Sequence, residues 1–316
     1  MTIMKNNQLW FVAIFVLFVV MASLGWHTWQ IPQATNQIAF LCQDIRTLSG
    51  HASQQICLVN ADGTGRRQLT YLPYEVQSLA WSPDGTRIVF TEYDYTLNLS
   101  LLATIKIAGS DYKELSRRYI PLTSPRWSPD GSRIAVMSSR YGTSDHKIIE
   151  SELIIMNIDG SDAKTIIKDI AALPFSWSPD SKRIAYALFE GPKGDELYVM
   201  NADGSHRIWL AHLGIGVRFD WARDGTKIVF GCHPRALVCA VNADGSGEIQ
   251  SSNQNVWLTN SPALSPDGKY FVDSRGQFTN SGIGDFSHLY LIERESLTQI
   301  ELTTGTWDIL PVWRPK

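Results

Sequence analysis

The feature that most constrains this chain is a ten-residue phrase that it uses repeatedly. WSPDGTRIVF (81–90) returns as WSPDGSRIAV (127–136), WSPDSKRIAY (177–186), WARDGTKIVF (221–230) and the worn LSPDGKYFVD (264–273). The leading Trp, or Leu264 in its place, recurs at intervals of 43–50 residues as far as Trp313. A period of that length suits one unit of four short strands with their turns. Such a unit cannot bury both of its faces unless copies pack side by side.

Turn chemistry and alternation divide each unit. Ser-Pro-Asp-Gly sets φ with its proline and supplies a left-handed corner with its glycine. The segment that follows, such as TRIVF, is rich in β-branched and aromatic residues. After a loop of variable length come the apolar runs QQICLVN (54–60), ELIIMN (152–157), ELYVMN (196–201) and LVCAVN (237–242). These end in a second stereotyped corner at Asn60–Gly63, Asn157–Gly160, Asn201–Gly204 and Asn242–Gly245, and a short outer strand such as RRQLT (66–70) completes the unit. Asn-Ala-Asp-Gly also resembles the opening of a calcium loop, but the downstream bidentate Glu and the flanking helices of an EF-hand are missing. The turn reading prevails.

The two ends of the chain complement each other. Gln37–Thr70 supplies the second, third and fourth strands of a unit without its tryptophan strand, and DILPVWRPK (308–316) supplies a tryptophan strand with nothing after it. Joined, they complete a sixth unit. The expected fold is therefore all-β: a six-bladed β-propeller over 37–316, closed by the C-terminal strand joining the N-terminal blade.

The corners WSPDG, the Ile-Ala/Val-Phe strand and the strand ending Asn-x-Asp-Gly resemble the TolB-type, WD-repeat-like propeller family. The resemblance covers about residues 37–316. It implies a binding scaffold of the cell envelope. TolB itself carries a sizeable α/β domain ahead of its propeller, where this chain has only a linker, HTWQIPQATN (27–36).

Ahead of that linker lies LWFVAIFVLFVVMASLGW (9–26), uncharged and apolar. Lys5 precedes it, and Arg46 is the first Lys or Arg beyond it. That asymmetry places residues 1–8 in the cytoplasm and the propeller outside, with Trp10, Trp26 and Trp29 as interfacial anchors. The run is long enough for a spanning signal-anchor helix, and Val20-Met21-Ala22 leaves signal cleavage as the alternative. The expected location is thus membrane-anchored in a bacterial periplasm or at the cell surface, or secreted after cleavage.

Four cysteines in an exported chain invite pairing. Cys42 and Cys232 each lie two residues beyond the Phe ending an IAF or IVF strand, and Cys57 and Cys239 each lie three before the corner Asn. Both pairs occupy the same positions on adjacent antiparallel strands. Opposed residues there have Cα atoms about 4.5–5.5 Å apart, within disulfide reach. The register predicts 42–57 and 232–239; four buried free thiols are the alternative.

Motifs for chemistry are missing. The sequence holds no Gly-x-Ser-x-Gly, no phosphate-binding Gly-x-x-x-x-Gly-Lys-Ser/Thr and no His-Glu-x-x-His. With 28 basic and 31 acidic residues, the chain lacks the basic excess of a nucleic-acid binder. No catalytic residue, metal site or cofactor is assigned. In a four-stranded meander the stereotyped corners share one face of the ring, leaving the irregular loops 43–54, 92–99, 139–151, 188–195, 233–236 and 274–288, with the blade-to-blade links, on the other. Loops on a rigid scaffold tend to hold binding residues, and tyrosine and arginine favour hot spots. Glu92, Tyr93, Tyr95, Arg140, Tyr141, His146, His233, Arg235, Arg275 and His288 are accordingly the candidate contacts for a protein or peptide partner. The runner-up is a small-molecule sensor or a hydrolase/lyase using the central channel. A purely structural module is the third reading.

Overall fold

The computed structural model describes residues 37–43, 54–118, 120–141, 148–168, 174–189, 194–213, 219–222, 224–232, 237–247, 249–255, 263–265, 269–279, 282–293, 299–303 and 309–315. The apolar run 9–26 and the linker 27–36 lie outside them. Among the described residues no helix is long and apolar enough to cross a membrane.

Among the described residues every element is a strand, and the strands form antiparallel sheets of four. Sheet I joins β1 (Gln37–Gln43), β2 (Gln54–Asn60) and β3 (Arg67–Gln68) to the last strand, β24 (Ile309–Trp313), in the order β24-β1-β2-β3. Sheet II is β4 (Glu75–Trp81), β5 (Arg87–Asp94), β6 (Leu99–Lys106) and β7 (Lys113–Arg118). Sheet III is β8 (Leu122–Trp127), β9 (Arg133–Tyr141), β10 (Ile148–Asn157) and β11 (Lys164–Lys168). Sheet IV is β12 (Phe175–Trp177), β13 (Arg183–Phe189), β14 (Asp195–Asn201) and β15 (Ile208–Leu213). Sheet V is β16 (Phe219–Trp221), β17 (Lys227–Cys232), β18 (Leu237–Asn242) and β19 (Gln250–Asn255). Sheet VI is β20 (Ala263–Leu264), β21 (Tyr270–Thr279), β22 (Gly282–Glu293) and β23 (Gln299–Glu301).

Period-two alternation places each sheet between two cores. Ala39 and Leu41 of β1 pack with Ile88 and Phe90 of sheet II, whereas Ile38, Phe40 and Cys42 pack with Val272 and Leu291 of sheet VI. Val89 and Leu102 turn instead to Ile134 and Ile154 of sheet III. Ala135 and Leu153 then meet Trp177 and Tyr186 of sheet IV, whose Ala185 and Leu197 meet Trp221 and Phe230 of sheet V. The tryptophan-bearing strands also touch one another: β24 lies against β4 and β20, β4 against β8, and β12 against β16. These first strands are therefore the innermost.

The repeated corners carry architecture. In the first, the Ser82 hydroxyl accepts the Arg87 amide at 2.9 Å, and Asp84 accepts the Ser82 hydroxyl at 2.6 Å and the Thr86 amide at 3.0 Å. Those donors hold Asp84 below the usual carboxylate range. The arginine ending the corner reaches the next sheet. Arg133 lies 5.0 Å from the Trp177 ring and donates to the Ser181 carbonyl at 2.6 Å; Arg183 lies 4.8 Å from the Trp221 ring and donates to the Gly225 carbonyl at 2.9 Å. Trp221 in turn donates its Nε1–H to the Ser176 carbonyl, 3.1 Å away in the preceding sheet, and Trp81 does the same to Val312 at 3.1 Å.

Two expectations need adjusting. Cys42 and Cys57 form a disulfide with Cα atoms 5.8 Å apart, but they are not opposed residues. Cys42 pairs in register with Gln55, and Cys57 with Phe40, so the bridge runs diagonally. Cys239 is also disulfide-bonded, and its strand positions repeat that diagonal, with Cys232 opposite Leu237 and Cys239 opposite Phe230. Segment 274–288 is largely strand rather than loop: β21 and β22 continue pairing past Arg275↔His288 to Thr279↔Gly282, with a register shift between Gly276 and Phe278.

Candidate binding site on the irregular-loop side

The candidate contacts do not all reach the surface. Glu92, on β5, is 1% exposed and accepts the Tyr112 hydroxyl on Oε1 at 2.9 Å, while its Oε2 finds no partner. Burial pushes this carboxyl up to about 7 against the pull of that hydrogen bond, and Glu114 adds to the rise. Burial and the charge of Glu92 raise the Tyr112 hydroxyl as well. Glu92 therefore acts within the sheet.

Tyr93 and Tyr95 are different. Their rings meet edge to face with centroids 4.8 Å apart, and Tyr95 is 67% exposed. The turn that presents them is held from below. Buried Asp94 accepts the amides of Thr96 and Leu97 at 2.8 and 3.0 Å, the pattern of an Asx-turn. Asn98, with φ at 51°, closes the turn, and its Oδ1 accepts the Tyr93 hydroxyl. Leu97 at its tip is exposed. Partial burial and a hydrogen bond to Glu75 raise the Tyr95 hydroxyl above its ordinary value.

Glu75 opens β4 and pairs in register with Tyr93, so the link from sheet I to sheet II enters the same site. That link is pinned by Gln55, which is fully buried. Its Nε2 donates to the Leu72 and Tyr74 carbonyls, both at 3.2 Å, and its Oε1 accepts the Leu72 amide at 2.9 Å. The fixed link holds Tyr71 exposed, with Tyr74 partly so. Tyr71, Tyr74 and Glu75 were not among the sequence candidates. The signal available was the tyrosine pair flanking Pro73 in TYLPYE, a link already expected on this side.

Of the remaining candidates, four are described. Arg140 is exposed near the end of β9. Tyr141 ends that strand, and Arg275 and His288 face each other in register across β21 and β22. His146, His233 and Arg235 lie outside the described residues. The innermost strands present polar groups immediately before their tryptophans: Arg126 and Asp220 are exposed, and the Ser176 hydroxyl donates to Asp220 at 2.6 Å across sheets IV and V. Among the described residues no three His, Cys, Asp or Glu side chains cluster so as to hold a metal ion. The arrangement offers a preorganised aromatic surface of uncharged tips, suited to recognition.

A model of the TolB beta propeller domain matches residues 102–316. The uncharacterized peptidase YuxL of Bacillus subtilis (strain 168) is 27% identical over 209 residues, 61% of this chain and 28% of YuxL. The chain thus spans under a third of that curated relative. Among solved structures, TolB from Acinetobacter baumannii superposes with a TM-score of 0.66 at 17% identity, over 90% of this chain and 67% of its own. Oligogalacturonate lyase from Vibrio parahaemolyticus superposes with a TM-score of 0.54 at 14% identity, over 82% and 74%.

Proposed function

The chain belongs to the TolB beta propeller domain family, and from that premise we propose that it is a non-enzymatic, envelope-tethered six-bladed propeller that binds a protein or peptide on its irregular-loop side. The observation that supports this most is the pinned aromatic surface. Tyr71, Tyr95 and Leu97 are each more than half exposed, yet the turn and the link that carry them are fixed by the buried polar side chains of Asp94 and Gln55. Ordering contact residues in advance lowers the entropy lost on binding, and tyrosine is among the residue types enriched at binding hot spots. The Cys42–Cys57 disulfide fits an oxidising compartment outside the cytoplasm. The apolar run 9–26 would hold the propeller within about 30 Å of the membrane at the extended reach of the linker.

Site-specific photo-crosslinking in the native envelope tests the reading. A probe at Tyr95 should give one discrete protein adduct, and a probe at Ile158, exposed at a second corner on the opposite side, should give none. No adduct at Tyr95, or the same adduct at both positions, overturns it. Retention in the membrane pellet after alkaline carbonate washing tests the tether, and a soluble mature form removes it.

A second reading draws on the innermost strands, where Arg126, Ser176 and Asp220 offer charge and hydroxyl groups. A small polar ligand held there would make the chain a sensor or a hydrolase/lyase. Native mass spectrometry of envelope extracts would show the ligand as a mass shift abolished by Asp220→Ala.

A further inference from the structure

Position for position, Glu152 of sheet III and Glu196 of sheet IV fall at the same place on the third strand of their units, opposite Ser138 and Leu188. Their surroundings differ. Glu152 sits between Arg118 at 3.4 Å and Lys168 at 3.7 Å. Glu196 is 5% exposed and, among the described residues, pairs with neither Lys nor Arg. Its Oε2 accepts the Trp209 Nε1–H at 2.6 Å, and its Oε1 is bonded to His212 Nδ1. Burying a carboxylate is costly. What it secures here is the orientation of two rings that remain open to solvent. Trp209 is 48% exposed and the His212 side chain 71%, with ring centroids 5.3 Å apart and planes at 69°.

We propose that the outer edge of sheet IV is a saccharide-binding site that takes a pyranose bearing a carboxylate. Each group has one capacity left. The indole N–H is committed to Glu196, so Trp209 offers its π-surface. His212 has its Nδ1 engaged and offers Nε2. Arg207 lies two residues before Trp209, just ahead of the strand, and reaches Tyr198, the register partner of Trp209. Its guanidinium stacks 4.0 Å from the Tyr198 ring, which is itself stacked on Tyr186 with centroids 5.6 Å apart. Among the described residues that guanidinium makes no hydrogen bond or ion pair, and its N–H fork matches a carboxylate. A pyranose supplies a C–H face for the indole, edge hydroxyls for Nε2 and, when oxidised or ether-linked to an acid, a carboxylate for Arg207.

A protein partner fits less well. A stable protein interface covers about 800 Å² per side around an apolar centre. On this strand only Ile208 and Trp209 expose apolar side chains, and His212 is the other exposed residue. The site is on the outermost strand of sheet IV, so it stands independently of the aromatic surface of sheet II.

Saturation-transfer NMR on the full-length chain tests the site, in a detergent without a sugar headgroup. The probes are a hexasaccharide of alternating glucuronate and N-acetylglucosamine, a neutral N-acetylglucosamine hexamer and a glutamate-rich decapeptide. The acidic hexasaccharide should bind at about millimolar Kd, with transfer strongest at its ring C–H protons. Trp209→Ala should weaken it about tenfold, Arg207→Gln and His212→Gln several-fold, and Tyr95→Ala not at all. Equal transfer to the neutral hexamer, undiminished transfer in W209A, or binding of the decapeptide but not the saccharide overturns the proposal. Should W209A fail to fold, R207Q decides alone, because its side chain holds no bond that the fold requires.

Discussion

At the scale of single residues, the corner glycines read alike in the sequence and differ in the space around them. Gly131, in a first corner, has φ at 73° with nothing near a would-be Cβ; Gly160, in a second corner, has φ at 88° and would place its Cβ 2.5 Å from the Leu115 carbonyl oxygen of β7. Gly131→Ala should therefore cost only the left-handed strain, roughly 1 kcal/mol, whereas Gly160→Ala must also push sheets II and III apart and should cost more than about 3 kcal/mol. Urea denaturation of both variants measures this, and equal losses would show that the close approach is not rigid. Glu92 makes a second prediction. Its native pKa, raised to about 7, lies above its unfolded value, so the native state holds the proton longer. Stability then falls as pH rises from about 4.5 to 7, and the cost, on the order of 3 kcal/mol, is complete above that window. Glu92→Gln should stabilise the protein at pH 8 and change little at pH 4. A uniform effect at both values would refute the raised pKa. The sequence placed Glu92 beside Tyr93 in one loop, but only the position of the strand end at Asp94 reveals that one is core and the other surface.

At the scale of elements, the units were legible because the first corner, recurring five times, is each time followed by an apolar strand-like segment. Register was not. Cys42 and Cys57 were matched from their repeat positions, yet their bridge proved diagonal: the register shared by the sheets sets Phe40, not Cys42, opposite Cys57, as it sets Phe230 opposite Cys239, and a pairing made across strands cannot be read from either strand alone. The aromatic site was half legible for the same reason. Tyr93 and Tyr95 stood out in an irregular segment, whereas Tyr71 and Tyr74 join them only because Gln55, a polar residue with no motif around it, pins the link. The diagonal bridge has a measurable consequence. It closes a loop with a sequence separation of 15, and Cys42→Ser with Cys57→Ser should lower stability by about 3 kcal/mol. Non-reducing peptide mapping should recover 42 linked to 57 and 232 to 239; recovery of 42 linked to 239 would reject the register altogether.

At the scale of the whole molecule, the sequence inference that two incomplete ends make one unit becomes a statement about where the last strand binds. β24 pairs with β1 through Ile38↔Trp313, Ala39↔Val312 and Leu41↔Ile309, and the Arg314 amide donates to the Gln37 carbonyl at 2.8 Å. The same strand serves sheet II, because Val312 accepts the Trp81 indole N–H and the Arg314 guanidinium lies 5.8 Å from the Trp81 ring. Deleting 309–316 would therefore strip one side of β1, whose Ile38, Ala39 and Leu41 are fully buried, and leave the Trp81 N–H without its acceptor. A chain whose sheets form a closed ring should respond throughout, because each sheet is held by the two beside it. The truncated protein should lose its single cooperative thermal transition, become protease-sensitive across sheets I, II and VI together, and recover on addition of the free peptide DILPVWRPK. An open array would respond otherwise: it would fray at sheet I while keeping the melting transition of sheets II–V, and that outcome would reject closure.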